Sequence, residues 1–600
     1  MNRKLSKCLP AALIAGLCLP LSAIAADEAL LKRIDELSQQ LEQLKQQVRA
    51  QEAQQSAAPA QSAKEVENLD NRVTQLEGKS LGKWLTIGGD YRFRVDSLHG
   101  ETRTFTDVNG TFGNVQQALQ ADFFANPSTA PGSSTYFGAP AYGSMSTAGA
   151  LSALMNFSHA MAAVRTVSQA NAFVGNPANG GLIQGIGQFA AQVPAYKPDN
   201  TTLYTNRFAI DLHATALRGV TVTARLVMYK IFGADDMQAI SNGGNAPYFA
   251  DRVGVFDGTL GHVPSSNFVN VDRAYATWSN IGGRDLWFSV GRRPSTNGAP
   301  SNLRLNTARP GNGGTPALLV DYAFDGMTIG YAPDIDALPG TYGKFCYGRG
   351  FESGYREVPG NSLQDTDMFG VAVIPVDTDR LRAWLQWNRG FNIFDAPKMS
   401  NTYFGNTAPK TDLGDIEWWG GGAMSTLKAV GPGDLNLFVD VALSKTHPNG
   451  NVSAQFGFQS LLGGGFFAPE APTSKTGSAV ALGVRYDLPS KTKGGIEYNH
   501  GSKNWITFAP AADDMWTAKA GTRGNVYEVY LIQELANKPV SSYFSKAFFR
   551  LGYQYYDFQY TGSNNWVGAP VRMSEVNGQM MTLTPLKNGS DIYATFEVKF

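Results

Sequence analysis

Cysteine is almost missing from this chain. Three occur in 600 residues, and two of them, Cys8 and Cys18, sit near the N-terminus. Only Cys346 lies in the body of the protein, so no intrachain disulfide can form there. Long apolar runs are missing as well. Beyond the N-terminus no segment offers the ~18 continuous apolar residues of a membrane-spanning helix, which excludes a helical membrane protein. Neither charge sign dominates, with 50 Lys and Arg against 50 Asp and Glu. That balance gives no footing for a nucleic-acid partner. Catalytic spacings are absent too. His99, His159, His213, His262, His447 and His500 are scattered and form no HExxH. There is no CxxCH, no paired cysteine for zinc and no GxSxG, so the chain is not expected to be an enzyme and no cofactor or metal is expected. His213 and Asp211 stand at alternate positions of one strand and are expected to form a satisfied polar pair rather than an acid/base dyad.

What is present begins with a leader. Arg3, Lys4 and Lys7 make a basic start, Leu9 to Leu21 a short apolar stretch, and Ala23-Ile24-Ala25 a small-x-small cleavage site. This predicts a signal peptide over residues 1–25. Its removal takes three basic residues from the 50, leaving 47. Residues 26–78 read as a periplasmic coiled coil and linker. Leu30, Ile34, Leu37, Leu41, Leu44 and Val48 recur at alternating spacings of four and three, a heptad seam. Pro59 interrupts it, and Val66, Leu69, Val73 and Leu76 resume it.

The remainder, residues 79–600, alternates apolar and polar with the period of half-buried strands. Candidate strands lie near 84–96, 203–215, 220–232, 268–279, 285–293, 316–324, 327–334 and 366–375. More follow near 380–390, 413–428, 434–446, 477–488, 493–501, 523–534, 544–559 and 590–600. Short connections, such as Leu217-Arg218-Gly219, Asp325-Gly326 and Gly431-Pro432-Gly433, alternate with long ones. An even number of strands, about sixteen, with short turns at one end and long loops at the other, predicts an all-β fold: an antiparallel transmembrane β-barrel. A mean hydropathy of -0.21 fits strands that are apolar on one face only. Residues 98–200 break the pattern and are expected to be a folded insertion between the first two strands, capping the barrel or entering it. In Val271-Asp272-Arg273-Ala274 the faces are mixed, and strict alternation forbids both charges from pointing inward.

Phasing the strands points Asp90, Arg92, Arg94, Arg207, Asp211, Arg225, Arg293, Arg382, Asp440, Arg485 and Glu497 into the lumen. These are the pore-lining candidates, with Asp96, Asp487, Arg550 and Glu597 on the same faces. Rings of charge set ion preference through the local field. The inward arginines favour anions, unless the charges simply pair with one another.

The final strand, Ile592 to Phe600, puts Phe596, Val598 and Phe600 on one face. This resembles the C-terminal signature of bacterial outer-membrane barrels. With the leader, the heptads and the strand count, the chain resembles coiled-coil-bearing porins of sixteen strands, including the phosphate-selective porins. Val271-Asp272-Arg273-Ala274-Tyr275 and Val290-Gly291-Arg292-Arg293-Pro294 resemble a proteobacterial porin-like family of unknown function. The resemblance implies residence in the outer membrane of a Gram-negative bacterium, with outer-membrane lipid around the barrel and the coiled coil in the periplasm. It also implies handling by the barrel-assembly machinery through the last strand, a homotrimer, and passive diffusion of small hydrophilic solutes or ions. The alternatives are a barrel sheath around an electron-carrying partner, which calls for a wider barrel, or an envelope tether.

Overall fold

In the computed structural model the described residues are 84–131, 133–134, 145–233, 264, 267–293, 298–307, 318–320, 324–355, 363–395, 399–402, 405–407, 409–509, 513–537 and 545–600, with 36, 39–40 and 42–45. The leader and the seam positions Leu30, Ile34, Leu37, Leu41 and Val48 lie outside them. In this N-terminal unit Glu36, Gln39, Gln40 and Glu42 to Lys45 are helical and exposed, Leu44 included. Lys45 pairs with Glu42 one turn back at 3.4 Å.

The second unit, residues 84–600, is built on sixteen antiparallel strands closed into a barrel. They begin with β1 (Leu85–Thr102), β2 (Asp199–Leu217), β3 (Val220–Ile231), β4 (Asn270–Trp278), β5 (Leu286–Arg292) and β6 (Asp325–Tyr331). Then come β7 (Tyr342–Phe351), β8 (Thr366–Asp377), β9 (Leu381–Phe394), β10 (Asp412–Val430) and β11 (Gly433–Pro448). The set ends with β12 (Thr476–Asp487), β13 (Thr492–Gly501), β14 (Gly524–Glu534), β15 (Lys546–Phe558) and β16 (Leu586–Lys599). Each strand pairs with its sequence neighbours, and β1 closes on β16 with Arg92 opposite Glu597 and Arg94 opposite Thr595. Closure removes the unpaired edges that lipid would punish.

Alternation sets the two faces. On β11 Val439, Val441 and Leu443 stay exposed while Asn436, Asp440 and Ser444 are buried. On β15 Phe549, Leu551, Tyr553 and Tyr555 are exposed while Arg550 and Gln554 are buried. The outer face is thus an apolar band with aromatics, and the inner face is polar, the arrangement of a membrane barrel.

Three expectations need correction. Of the expected strand 316–324, the described residues Leu318 to Val320 and Phe324 lie in no wall strand, because β5 pairs directly with β6 at Asp325. The apolar Leu318, Leu319 and Val320 instead pack inside the barrel against Trp384, Trp418 and Phe508. An apolar run carries the same periodicity whether it is wall or plug. Asp325-Gly326 therefore opens a strand rather than making a turn. The missed strand is β7, whose inner face includes Lys344, Cys346 and Gly348 and so offers no clean alternation. On β4 the pairing slips, with Arg273 opposite Arg225 and Val271 opposite Leu226. Asp272 is the extra residue of a β-bulge, which lets Asp272 and Arg273 face inward together.

The insertion folds into helices α1 (Val108–Ala125), α2 (Thr147–Ala162), α3 (Val167–Gly175) and α4 (Pro177–Gly187) at the long-loop end. Each starts on a capping side chain: Asp107, Ser146, Thr166 and Asn176 accept from backbone N–H groups of the first turn. Their apolar faces share a core with Val452, Phe458 and Phe467 of the 449–475 loop. Among the described residues no helix is long and apolar enough to cross a membrane.

Candidate functional site

The inner face of β1 is a row of charges, and two long loops descend onto it. From the 502–523 loop Asp513 accepts from Arg92 at 2.6 Å and Arg550 at 3.3 Å, with Arg94 at 3.9 Å. Arg94 also holds Asp96 at 2.5 Å and Asp591 at 2.9 Å. Arg550 reaches Glu597 at 3.1 Å. From the 293–324 loop Arg304 donates to Asp514 at 2.9 Å, with Glu528 at 3.5 Å. Lys519 pairs with Glu497 and with Glu528. Arg485 holds Asp487 at 2.7 Å and the Leu303 carbonyl at 2.6 Å. On the adjoining wall Asp90 takes Arg207 at 2.9 Å and Arg225, which also holds Asp211 at 2.5 Å.

The charges around Asp513 and Arg94 are dry. Arg92, Arg94, Asp96, Arg550 and Asp591 are each at most 2% exposed. Burial pushes the Asp513 carboxyl up, but Arg92, Arg94 and Arg550 outweigh it and hold it well below the usual carboxylate range. Burial and Arg304 push Lys519 down, and Glu497, Glu528 and Asp514 outweigh them, leaving its ammonium raised. Aromatic anchors fix the same loops. Trp516 lies over Gly100 and Gly589 and donates to the Ser590 carbonyl at 3.0 Å. A Cβ at Gly589 would stand 2.9 Å from that indole, so the wall opens a slot for it. Trp418 stacks edgewise on Phe508, their ring centres 4.9 Å apart, and its indole N–H reaches the Ile506 carbonyl at 2.8 Å. A cluster of buried, satisfied indoles makes a firm plug on this side.

The opposite wall, β5 to β9, differs. Arg293 donates to Ser289 at 2.7 Å and to Thr328, both neutral. Arg293, Thr328, Lys344, Cys346, Gln386 and Asn388 line a cavity of about 70 Å³ that has no Asp or Glu in its lining among the described residues. Lys344 stands close enough to feel the charges of both Arg293 and Arg382. Arg382, nearer the short turns, donates to Tyr342 at 2.8 Å and lies 3.6 Å from Asp377. Gln386 Oε1 and Asn388 Nδ2 are buried without partners among the described residues.

The arginines and acids chosen from the sequence thus fall into two groups. Asp90, Arg92, Arg94, Arg207, Asp211, Arg225, Arg485 and Glu497 join paired networks, Arg382 pairs with Asp377 near the short turns, and Arg293 bonds neutral hydroxyls. Asp440 is buried and accepts from the Trp384 indole at 3.3 Å. His213 and Asp211 do not pair with each other: His213 meets Thr223 at 3.0 Å and Asp211 takes Arg225. Asp513, Asp514, Arg304 and Lys519 were not among those chosen, because loops carry no periodicity. The one signal they offer is Met515-Trp516, large apolar residues in a connection meant for water. Lys344 went unnoticed with its strand. At the end of the last strand the Phe600 backbone exchanges two hydrogen bonds with Gly89, at 2.9 and 3.0 Å. Among the described residues no group of three or more His, Cys, Asp or Glu is placed to hold a metal.

A family model described as a protein of unknown function, DUF3373, matches residues 197–600. No curated protein matches the chain. Among solved structures, the anion-selective porin from Comamonas acidovorans is 10% identical, with 86% of this chain and 99% of that one covered at a TM-score of 0.36. The trimer form of OmpT, an outer membrane protein of Vibrio cholerae, is 13% identical, with 67% and 93% covered and a TM-score of 0.33. A mutant of the Rh. blastica porin is 9% identical, with 86% and 99% covered and a TM-score of 0.31.

Proposed function

We propose that this chain, which belongs to the DUF3373 family, is an outer-membrane channel of narrow bore that passes small hydrophilic solutes and prefers anions. The observation that carries the reading is the cavity on the β5–β9 wall, lined among the described residues by Arg293 and Lys344 and by no carboxylate. The paired charges along β1 and β12 to β16 cancel one another and hold two loops in the lumen. Arg293, whose described partners Ser289 and Thr328 are neutral, offers its field to a passing ion. Arg293 suits that task because its guanidinium stays charged and offers several donors.

The same reading places the barrel in outer-membrane lipid, with its short turns and both chain ends on the periplasmic side. It takes residues 1–25 as a cleaved leader, residues 26–78 as a periplasmic coiled coil, three subunits as the assembly, and β16 as the strand met by the assembly machinery. A sheath around an electron carrier calls for a wider wall than sixteen strands. Swelling of proteoliposomes in isotonic solutes of matched size tests the function. Faster entry of a small organic anion than of a neutral sugar or a cation is expected. Equal exclusion of all three would refute it.

A further inference from the structure

A second cavity lies at the long-loop end, where the helical insertion meets the loops after β9 and β11. It measures about 190 Å³, far beyond the ~10–15 Å³ that admits one water. Its walls are apolar, with Phe112 of α1, Met161 and Ala162 of α2, and Phe456 and Phe466 of the 449–475 loop. At its edge stand two cations, Arg165 and Lys410, and one carboxylate, Asp395.

The polar groups there are unequally engaged. Asp395 is fully buried and accepts from the Lys410 N–H at 2.9 Å, the Thr411 N–H at 3.1 Å and the Ser453 hydroxyl at 2.8 Å. Arg165 spends Nη1 on the Ala162 and Val164 carbonyls, but its buried Nε has no partner among the described residues. Among the described residues nothing pairs with the Lys410 ammonium. Thr411 is 1% exposed, lines the cavity, and its hydroxyl has no partner among the described residues. A buried hydroxyl left unsatisfied costs on the order of 1–3 kcal/mol, so its persistence in an apolar pocket points to a group that joins it. The position of Arg165 is fixed by backbone pairing, since the Val452 N–H donates to its carbonyl at 2.8 Å and Thr166 bridges Asn451.

We infer that this cavity binds an amphiphilic monocarboxylate, its alkyl chain among Phe112, Met161, Phe456 and Phe466 and its carboxylate at Arg165, Lys410 and Thr411. Two cations against one engaged carboxylate leave a net positive rim for the head group, and the apolar walls suit the tail. The site stands whether or not the lumen conducts. It also gives the insertion a purpose, because α1 and α2 supply Phe112, Met161 and Ala162 to the walls.

The test is calorimetric titration of the full chain, held in amphipol free of lipid, with sodium dodecanoate below its micelle concentration. Saturable binding at about micromolar concentration is expected. Dodecanol and butyrate, which lack the charge and the tail, should each bind at least about tenfold more weakly. Lys410→Met, a change in an exposed connection that leaves the barrel intact, should weaken dodecanoate by about tenfold, and Ala162→Trp, which fills the cavity, should abolish binding. Non-saturable uptake, dodecanol binding as tight as dodecanoate, or unchanged affinity in Lys410→Met and Ala162→Trp proteins that retain heat-modifiable migration would overturn the inference.

Discussion

Replacing Asp513 with asparagine keeps the shape of the side chain and removes its charge. The carboxylate is 3% exposed and meets Arg92, Arg550 and Arg94 at 2.6, 3.3 and 3.9 Å. Arg94 keeps Asp96 and Asp591 after the change, and Arg550 keeps Glu597. Among the described residues Arg92 keeps no ion pair, only the Tyr229 ring 5.1 Å away. Stranding a buried charge in this way costs about 3–5 kcal/mol. The cost falls on the docked state of the 502–523 loop, because undocking lets water reach Arg92. At about 1.4 kcal/mol per tenfold, the undocked fraction should rise by two to three and a half orders of magnitude. A thiol reports it. In a Cys346→Ala background, Met515→Cys places a cysteine at a position that is fully buried while the loop is docked. An impermeant maleimide should label it at least a hundredfold faster in the Asp513→Asn protein, and single-channel current should rise. Unchanged labelling and unchanged current would show that Trp516 and its neighbours hold the loop without the ion pairs.

Gly589→Leu should expel Trp516 from its slot and raise conductance while leaving heat-modifiable migration intact, which bilayer recording and gel mobility would report. The docking contribution of Asp513 follows the sign of a depressed carboxyl: it is fully present above the ordinary value of 3.8 and is lost only as pH falls through the lower folded value. Acid titration of the Met515→Cys labelling rate, taken relative to a free thiol at the same pH because only the thiolate reacts, should therefore stay flat down to pH 3.8 and rise only below it. Val441→Arg, on the lipid face, should destabilise the barrel by about 2–4 kcal/mol in a folding titration into bilayers.

Legibility in the sequence followed how cleanly the two faces differ. The walls β11, β12 and β15 were plain because Val, Leu and Tyr alternate there with Asp, Arg and Gln. β7 was not, since Gly343, Gly348 and Gly350 blank out three of its ten positions and its inner face mixes Lys344 with Tyr342 and Cys346. Leu318 to Val320 mimicked a strand because apolar plug and apolar wall obey the same pattern. Asp272 broke strict alternation through a bulge, which depends on the partner strand's register and cannot be seen in one strand alone. For the site, the inward arginines of the wall were readable one at a time. Their partners were not, because Asp513, Asp514 and Arg304 come from loops whose fold is set by the cavity they enter. The separation into a compensated side and a basic side exists only once those loops are in place.

The central claim is a conducting lumen whose selectivity comes from the β5–β9 wall. The most direct measurement is the zero-current potential of single channels across a salt gradient in a planar bilayer, for the parent protein and for Arg293→Glu with Lys344→Glu. The account predicts stepwise currents with an anion-selective potential in the parent and a shift toward cations in the double variant. A correctly folded barrel that carries no current, or a potential that the double variant leaves unmoved, would contradict it.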